Sequence, residues 1–256
     1  MNQEVIWEGD TPGGHYQVVD CLYDGRPARV LYSGDRQAAQ SGFAKDDKPD
    51  LLFDYNQRMF ELVTNLVPKT LLLVGGGVGT LPKALLETLP DVHIDVVEPD
   101  SGLTDLAYRY FDLPVDERLN IFDTDGRNFL RGHAGRYDMI LVDAFTHTAI
   151  PKDMKTLEAF QALHRHLQPQ GIVAMNVISG YYGPGAQVLT QLYAAALQTF
   201  DVLDIFLASR GYSLWLPQNF VLAAQKGSGL PLKDYVRHDA VKPPEVRPGD
   251  ALHDEA

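Results

Sequence analysis

The chain has 256 residues, of which 45% are hydrophobic and 22% charged, a composition typical of a folded globular protein. Its 34 acidic side chains outnumber the 22 basic ones, which argues against nonspecific binding to nucleic acid, because such binding depends on cationic contacts to phosphates. A single cysteine, Cys21, excludes an intramolecular disulfide, and no apolar run approaches the ~20 residues of a membrane span. With no secretory signal visible, we expect a cytoplasmic protein that binds neither nucleic acid nor a membrane.

The first 50 residues predict a small β-domain. Two strand-like runs occur in "HYQVVDCLYDGRPARVLYSG", and the Asp-Gly pair between them favours a hairpin turn. The pattern then changes in "LLFDYNQRMFELVTNL", where Leu52, Tyr55, Met59 and Leu62 recur at helical spacing. A helix is therefore predicted to open a second domain.

Strand and helix signals alternate in this second domain, residues 51–240. Strands are predicted at 71–74, 94–97, 119–122, 138–142 and 171–177, in "DVLDIFLA" and in "NFVLAAQK". Helices are predicted near 80–89, 101–110, 126–131, 155–167 and 185–199. This alternation indicates an α/β fold with a mostly parallel, seven-stranded sheet and helices on both faces. The proline-rich residues 241–256 are predicted to form a flexible acidic tail.

The segment "LLLVGGGVGTLPKALLE" predicts a glycine-rich turn between a strand and a helix. A kinase-type phosphate loop needs Lys and then Ser or Thr after its last glycine, and here Gly79 is followed by Thr80. Dinucleotide binding needs a third glycine where this chain has Thr80 or Pro82. The remaining pattern, Gly75-x-Gly77-x-Gly79, resembles the first motif of Rossmann-like S-adenosylmethionine-dependent transferases. A turn without a ligand is the alternative.

Two later acids strengthen the interpretation of a nucleoside site. Glu98 ends the second strand of the domain, where a carboxylate accepts hydrogen bonds from both ribose hydroxyls; Asp100 competes for this role. Asp125 follows the third strand, where it would accept a hydrogen bond from the adenine amino group. The alternatives are a solvated loop acid for Glu98 and a helix N-cap for Asp125.

The stretch from about Tyr16 to Gly180 resembles the spermidine synthase family of polyamine aminopropyltransferases, in particular its divergent bacterial branch. The resemblance is carried by "YSGDRQAAQ", "FDYNQRM", "LLLVGGGVGTLPKAL", "DVVEPDSGLTDLAYRYF", "DTDGRNFL", "RYDMILVDAF" and "LHRHLQPQGIVAMNV". It implies a methyltransferase-type Rossmann-like fold. It also implies which residues bind the donor and which catalyse the reaction. The catalytic residues would be Asp143 and Tyr55. The donor-binding residues would be Gln37, Gly75, Gly77, Gly79, Glu98, Asp125 and Gly126.

The same resemblance implies decarboxylated S-adenosylmethionine as the donor, a diamine such as putrescine as the acceptor and no metal. An N-terminal β-domain that pairs subunits into a homodimer or a larger homo-oligomer is implied as well. The chemistry also follows from the residues, because a protonated amine must be oriented and must lose a proton before it attacks a sulfonium. Asp143 is suited to both tasks at the end of its strand. A turn-capping role for Asp143 and a core position for Tyr55 are the alternatives.

The chain departs from the family pattern at two acids. Members with established polyamine activity carry Asp in "GGGDGG", where this chain has Val78, and a second loop acid where it has Thr146. Loss of two hydrogen bonds to charged amines removes about 3–6 kcal/mol of interaction free energy, which weakens the interaction with those amines by a factor of roughly 10² to 10⁴. This argues against efficient use of putrescine. His147, next to Thr146, can act as a neutral base, but it cannot hold an amine by a negative charge. Family enzymes also place a tyrosine facing the acceptor, and Tyr212 and Trp215 are the candidates for that position here.

An aminopropyltransferase-like enzyme is therefore the leading hypothesis. A methyltransferase that uses intact S-adenosylmethionine and a nucleoside-binding protein without catalysis are the alternatives, and a nicotinamide dehydrogenase is a more remote one. The histidines make no case for a metal, because His164 and His166 are two residues apart on a predicted helix and point to different faces.

Overall fold

A computed structural model of the chain describes residues 3–34, 39–46, 51–145, 149–209, 212–227 and 240–254. The N-terminal part forms an antiparallel sheet in the order β1-β2-β3-β4, with strands β1 Glu4–Thr11, β2 Gly14–Tyr23, β3 Arg26–Ser33 and β4 Ala39–Ala44. The predicted hairpin joins β2 to β3. Its turn residues Asp24 and Gly25 have φ values of 47° and 80°, as a two-residue turn with Asp-Gly requires. The outer strands β1 and β4 extend the two predicted runs on either side.

The second part is an eight-stranded sheet in the order β12-β10-β11-β9-β8-β5-β6-β7. Its strands are β5 Thr70–Val74, β6 His93–Val97, β7 Leu119–Phe122, β8 Tyr137–Val142, β9 Leu167–Ser179, β10 Val202–Leu207, β11 Gln218–Gln225 and β12 Ala240–Val241. The five neighbouring strands β7, β6, β5, β8 and β9 are mutually parallel. Beyond β9, the strands β11, β10 and β12 follow in that order, and each is antiparallel to the strand before it. The seven predicted strands are therefore confirmed, and the two-residue β12 adds an eighth at one edge.

Six α-helices connect these strands within the described ranges: α1 Asp54–Leu66, α2 Thr80–Thr88, α3 Ser101–Tyr110, α4 Gly126–Gly132, α5 Leu157–Arg165 and α6 Gln187–Leu197. They cover both faces of the sheet. In β5, Leu71 and Leu73 pack in the apolar cluster that contains residues of α1 and α2, whereas Leu72 and Val74 pack in the cluster that contains residues of α4, α5 and α6. Strands covered on both faces are continuously apolar, as the sequence of β5 is.

The N-terminal sheet packs against the α/β part through a third apolar cluster. Val18 and Phe43 of the sheet meet Val78 of the glycine turn and Leu106 and Phe111 at α3. The N-terminal sheet therefore lies beside the carboxyl ends of the parallel strands and forms one wall of the space above them.

The described part of the C-terminal segment, for which a flexible acidic tail at 241–256 was predicted, makes several contacts with the α/β part. Ala251 is 6% exposed, and the Leu252 carbonyl accepts a hydrogen bond of 2.7 Å from the Leu157 amide at the start of α5, whereas much of 242–249 is exposed. The side chain of Asp254 accepts hydrogen bonds from Thr156 and from Arg127 of α4.

Candidate active site

The glycine turn lies where the sheet changes direction. From β5 the chain continues to β6 and β7 on one side and then returns to β8 on the other, which makes the β5–β8 edge a topological switch point. Gly75 has a φ of 92°, and a Cβ there would lie 2.3 Å from the carbonyl oxygen of Asp143. Residue 75 must therefore be glycine for the end of β5 to approach the end of β8 this closely.

A cavity of about 630 Å³ opens at this switch point, between the strand ends and the N-terminal sheet. Of the predicted site residues, those that line it are Tyr55, Gly75, Gly77, Glu98, Asp125, Gly126 and Asp143. Gly79 instead is the N-cap of α2 and lies against Leu113. Gln37, Thr146 and His147 lie outside the described residues.

Glu98 ties the glycine turn to the end of β6. Its Oε2 accepts hydrogen bonds from the amides of Gly76 (3.0 Å) and Gly77 (2.9 Å), and its Oε1 accepts one from the amide of Asp100 (3.0 Å). Burial raises the pKa of Glu98, and these three hydrogen bonds oppose the increase. A carboxylate has about four acceptor positions, so one position, on Oε1, remains for a ligand.

Asp125 is the N-cap of α4, the alternative role that its position indicated. It accepts hydrogen bonds from the backbone amide of Asn128 (2.8 Å) and from the Asn128 side chain (2.5 Å). Because each carboxylate oxygen has a second lone pair, capping and ligand binding are compatible at this residue.

Asp100 caps α3 and at the same time holds the β1–β2 hairpin. It accepts hydrogen bonds from the Thr11 hydroxyl (2.5 Å) and from the amides of Gly13 (3.1 Å) and Gly102 (3.0 Å). This acid therefore fastens the N-terminal sheet to the domain beside it.

Asp143 and Tyr55, the two predicted catalytic residues, meet in the cavity. The Tyr55 hydroxyl is hydrogen-bonded to the Asp143 carboxylate, and Asn176 donates to Asp143 Oδ1 over 2.8 Å. Burial raises the pKa of Asp143 to about 6, and the charge of Glu98 adds to this increase, whereas the bonds from Asn176 and Tyr55 oppose it. Burial also raises the pKa of Tyr55 well above its ordinary value, so its hydroxyl stays protonated and donates.

Three asparagines near Asp143 were not predicted. Asn176 is 2% exposed, and its Oδ1 accepts a hydrogen bond of 2.9 Å from Asn219 Nδ2. Asn56, 4% exposed, lines the cavity, and its Oδ1 has no hydrogen-bond partner among the described residues. The one signal in the sequence was Asn176 itself, a polar residue inside the apolar strand "IVAMNVI".

Val78, one of the two departures from the family pattern, and the two candidates for a tyrosine facing the acceptor have different surroundings. Val78 is fully buried among apolar side chains and does not line the cavity. Tyr212 lines the cavity and is 65% exposed, whereas Trp215, equally exposed, packs on Tyr182 with ring centroids 5.5 Å apart. Of the two candidates for a tyrosine facing the acceptor, only Tyr212 is near the site.

Within the described residues, no three His, Cys, Asp or Glu side chains are grouped so that they could hold a metal ion. None of the helices in these ranges is both long and apolar enough to cross a membrane.

The mainly parallel sheet, the glycine turn at its switch point and the acid that ends β6 define an α/β protein of the methyltransferase-like, Rossmann-type class. The chain belongs to the spermine/spermidine synthase domain family, whose model matches residues 53–181. This range contains the cavity wall from α1 to the end of β9.

Individual relatives agree with this assignment. The chain is 37% identical over 134 residues to a probable polyamine aminopropyl transferase of Bifidobacterium longum, covering 52% of this chain and 30% of that protein. Its fold resembles that of a probable spermidine synthase from Corynebacterium glutamicum, with a TM-score of 0.76, 18% identity and coverage of 87% and 80% of the two chains. A spermidine synthase in complex with the transition state analogue AdoDATO gives a TM-score of 0.67 at 20% identity, with coverage of 90% and 75%. The chain spans 30%, 66% and 40% of the length of three curated relatives that it matches.

Proposed function

We propose that the protein transfers an aminopropyl group from decarboxylated S-adenosylmethionine to an amine acceptor, with Asp143 as the general base. The observation that carries this proposal is the Asp143–Tyr55 pair, which lies in one cavity with the glycine turn, Glu98 and Asp125. Relatives that are named polyamine aminopropyltransferases, and a related fold that binds AdoDATO, support the same choice of donor.

The charge of the cavity favours cationic ligands. Among the described residues that line it, seven are acids and one is a base: Asp24, Asp54, Glu98, Asp100, Asp125, Asp143 and Asp153 against Arg127. Arg127 is itself paired with Asp254. A sulfonium donor that carries an amine, and a protonated amine acceptor, both gain from such surroundings, because a low dielectric strengthens attraction between opposite charges.

In the proposed reaction the acceptor amine first gives a proton to Asp143. Its freed lone pair attacks the propyl carbon bonded to the sulfonium. The new C–N bond forms as the C–S bond breaks, and the bonding electrons stay on sulfur, which leaves methylthioadenosine as a neutral thioether. Tyr55 and Asn176 hold the carboxylate in place during this transfer.

The raised pKa of Asp143 suits this role. A primary ammonium has a pKa of about 10, so proton transfer to an ordinary aspartate is strongly unfavourable. The shift from 3.8 to about 6 narrows the gap. Each pKa unit is about 1.4 kcal/mol, so the transfer costs about 3 kcal/mol less than it would with an unperturbed carboxyl.

Val78 limits what the donor contacts can be. Its side chain packs in the apolar cluster, so this part of the turn offers no charge to the amine of the donor. Aminopropyl transfer by this chain therefore depends on the remaining acids of the cavity. Because Thr146 also stands where the family has its second loop acid, we propose an acceptor other than putrescine as the better substrate.

The test is an assay of methylthioadenosine formation with decarboxylated S-adenosylmethionine and a panel of mono-, di- and polyamines. We expect product only when both donor and amine are present, and a loss of about 10² or more in kcat/KM for Asp143→Asn. The control is Asp105→Asn, an exposed acid on α3, which should leave the rate unchanged. No product with any amine would refute the proposal, and methyl transfer from intact S-adenosylmethionine would establish the methyltransferase alternative. Assembly into a homodimer or larger homo-oligomer stays a prediction, which sedimentation velocity would check.

A further inference from the structure

Two asparagines on adjacent strands connect the carboxylate of Asp143 to the antiparallel part of the sheet. Asn219 of β11 donates through Nδ2 to Asn176 Oδ1 over 2.9 Å, and Asn176 of β9 donates through Nδ2 to Asp143 Oδ1 over 2.8 Å. We propose that Asn176 and Asn219 form a positioning relay that orients Asp143 and holds it ionised until the acceptor amine gives up its proton. The relay deepens the proposed function of the site and rests on it.

The register of the sheet makes the relay directional. Asn176 pairs with Val221, and Asn219 pairs with Ile178, so the two asparagines are diagonal neighbours across β9 and β11. If the Asn176 amide turned over, its oxygen would face the ionised carboxylate and its nitrogen would face the amide nitrogen of Asn219. Both contacts would be repulsive. Asn219 therefore fixes the Asn176 amide with its N–H toward Asp143.

A fixed N–H toward Oδ1 has two consequences for Asp143. It stabilises the ionised form, since a hydrogen bond to a charged group is stronger than one to a neutral group. It also occupies one of the two acceptor positions of Oδ1 and so fixes how the carboxylate is oriented in the cavity. Asn219 does not touch the carboxylate and acts only through Asn176.

The relay works against specific neighbours that raise the pKa. Burial is the largest of these, and the charge of Glu98 at the end of β6 is the second. Tyr55 of α1 donates to the carboxylate and acts in the same direction as Asn176. The relay is thus one of two supports that favour the ionised form of this partly buried acid.

The alternative is that the two asparagines only satisfy each other's hydrogen-bonding groups inside the sheet. The two explanations differ in what happens at Asp143 when Asn219, which is not in contact with it, is changed. A structural pair predicts lower stability and an unaltered carboxylate. The relay predicts that the pKa of Asp143 rises.

The experiment measures this pKa directly by ¹³C NMR of the free protein labelled at aspartate carboxyls, with the resonance identified through Asp143→Asn. Asn176→Val should raise the pKa of Asp143 by about one unit or more, because a donor to the charged form is lost. Asn219→Val should raise it in the same direction by about half a unit, because the Asn176 amide becomes free to turn. The acid limb of the pH–kcat profile should move by the same amounts, with KM for the donor unchanged.

The matched control is Asn120→Val, which removes another Asn-to-Asp hydrogen bond of the same sheet, from Asn120 Nδ2 to Asp95 Oδ1 over 2.9 Å. It should leave the pKa of Asp143 unaltered. If Asn176→Val fails to fold, Asn219→Val decides alone, since Asn219 is only partly buried. An unchanged Asp143 pKa in Asn219→Val overturns the relay. If the pKa shifts occur as expected but the protein transfers no aminopropyl group, the proposed function is refuted and the relay is not.

Discussion

Asp143 shows the opposing demands that one residue meets at this site. In its proposed role as a base, Asp143 is better matched to an amine when its pKa is raised, but the burial that raises the pKa penalises the charged form in the folded protein. Asn176 and Tyr55 offset part of this penalty without a positive charge. The remaining cost appears in the pKa of about 6, so this residue destabilises the fold when it is ionised.

Asp143→Asn should therefore stabilise the protein in a pH-dependent way. The folded-state pKa of about 6 lies above the ordinary 3.8, so the folded state binds the proton more tightly, and wild-type stability falls as the pH rises through this window. Relative to wild type, the variant should gain up to about 3 kcal/mol between pH 4 and pH 7.5. Denaturant unfolding at both pH values measures the difference. Asp105→Asn should show no such trend, and a constant difference for Asp143→Asn would contradict a raised pKa.

Val78 gives a second prediction for a single residue. Restoring the family's acid with Val78→Asp places a charge among Leu106, Phe111 and other apolar side chains, so we expect a loss of about 3 kcal/mol or more in the free energy of unfolding. Val78→Ala, which only leaves a small cavity, should cost about 2 kcal/mol. Thermal or denaturant unfolding checks both. Val78→Asp should not tighten donor binding; a stable variant with tighter binding would mean that this side chain reaches the cavity.

At the scale of elements, the glycine turn and the end of β8 form one packed unit. Gly75→Ala should cost at least about 1–2 kcal/mol for its left-handed backbone alone, and the contact with the Asp143 carbonyl adds to this. Donor affinity measured by calorimetry should fall together with stability. The control is Gly132→Ala at the end of α4, where a Cβ meets no atom within 4 Å. This change should be neutral or slightly stabilising.

Elements with a regular burial period could be predicted from the sequence. The helix predicted over 101–110 is α3 Ser101–Tyr110, and the apolar run at 71–74 is the core of β5. The two-residue β12 and the contacts of the C-terminal segment could not be predicted, because these stretches are too short to show a period and their partners are far away in the chain. The same holds within the site. Residues at strand ends, Glu98 and Asp143, were accessible to sequence reasoning, whereas the Asn176–Asn219 contact depends on the register between β9 and β11.

At the scale of the whole molecule, the N-terminal sheet and the described C-terminal segment are both fastened to the rim of the cavity. The β1–β2 hairpin is held by Asp100, and the C-terminal segment is held through Asp254 and Arg127. Arg127 lines the cavity next to Gly126, so the C-terminal segment supports the wall beside Asp125, the residue predicted from the sequence to contact the adenine.

Asp254→Asn should show this support. The Arg127 side chain is 7% exposed and that of Asp254 is 31% exposed. Removing the charge should cost about 1–3 kcal/mol of stability, less than for a fully buried pair because Asp254 is partly exposed. Donor affinity should weaken several-fold by calorimetry. Glu245→Gln, an exposed acid of the same segment, is the control, and equal effects of the two variants would refute a specific role for the Asp254–Arg127 pair.

The close approach of Gly75 to the Asp143 carbonyl also matters for anyone who wishes to re-engineer the protein. Because the strand ends that carry the glycine turn and Asp143 touch without a side chain between them, neither can be remodelled alone. Libraries intended to change the donor should leave position 75 untouched and vary the opposite wall, where Tyr16, Ser41 and Leu103 line the cavity.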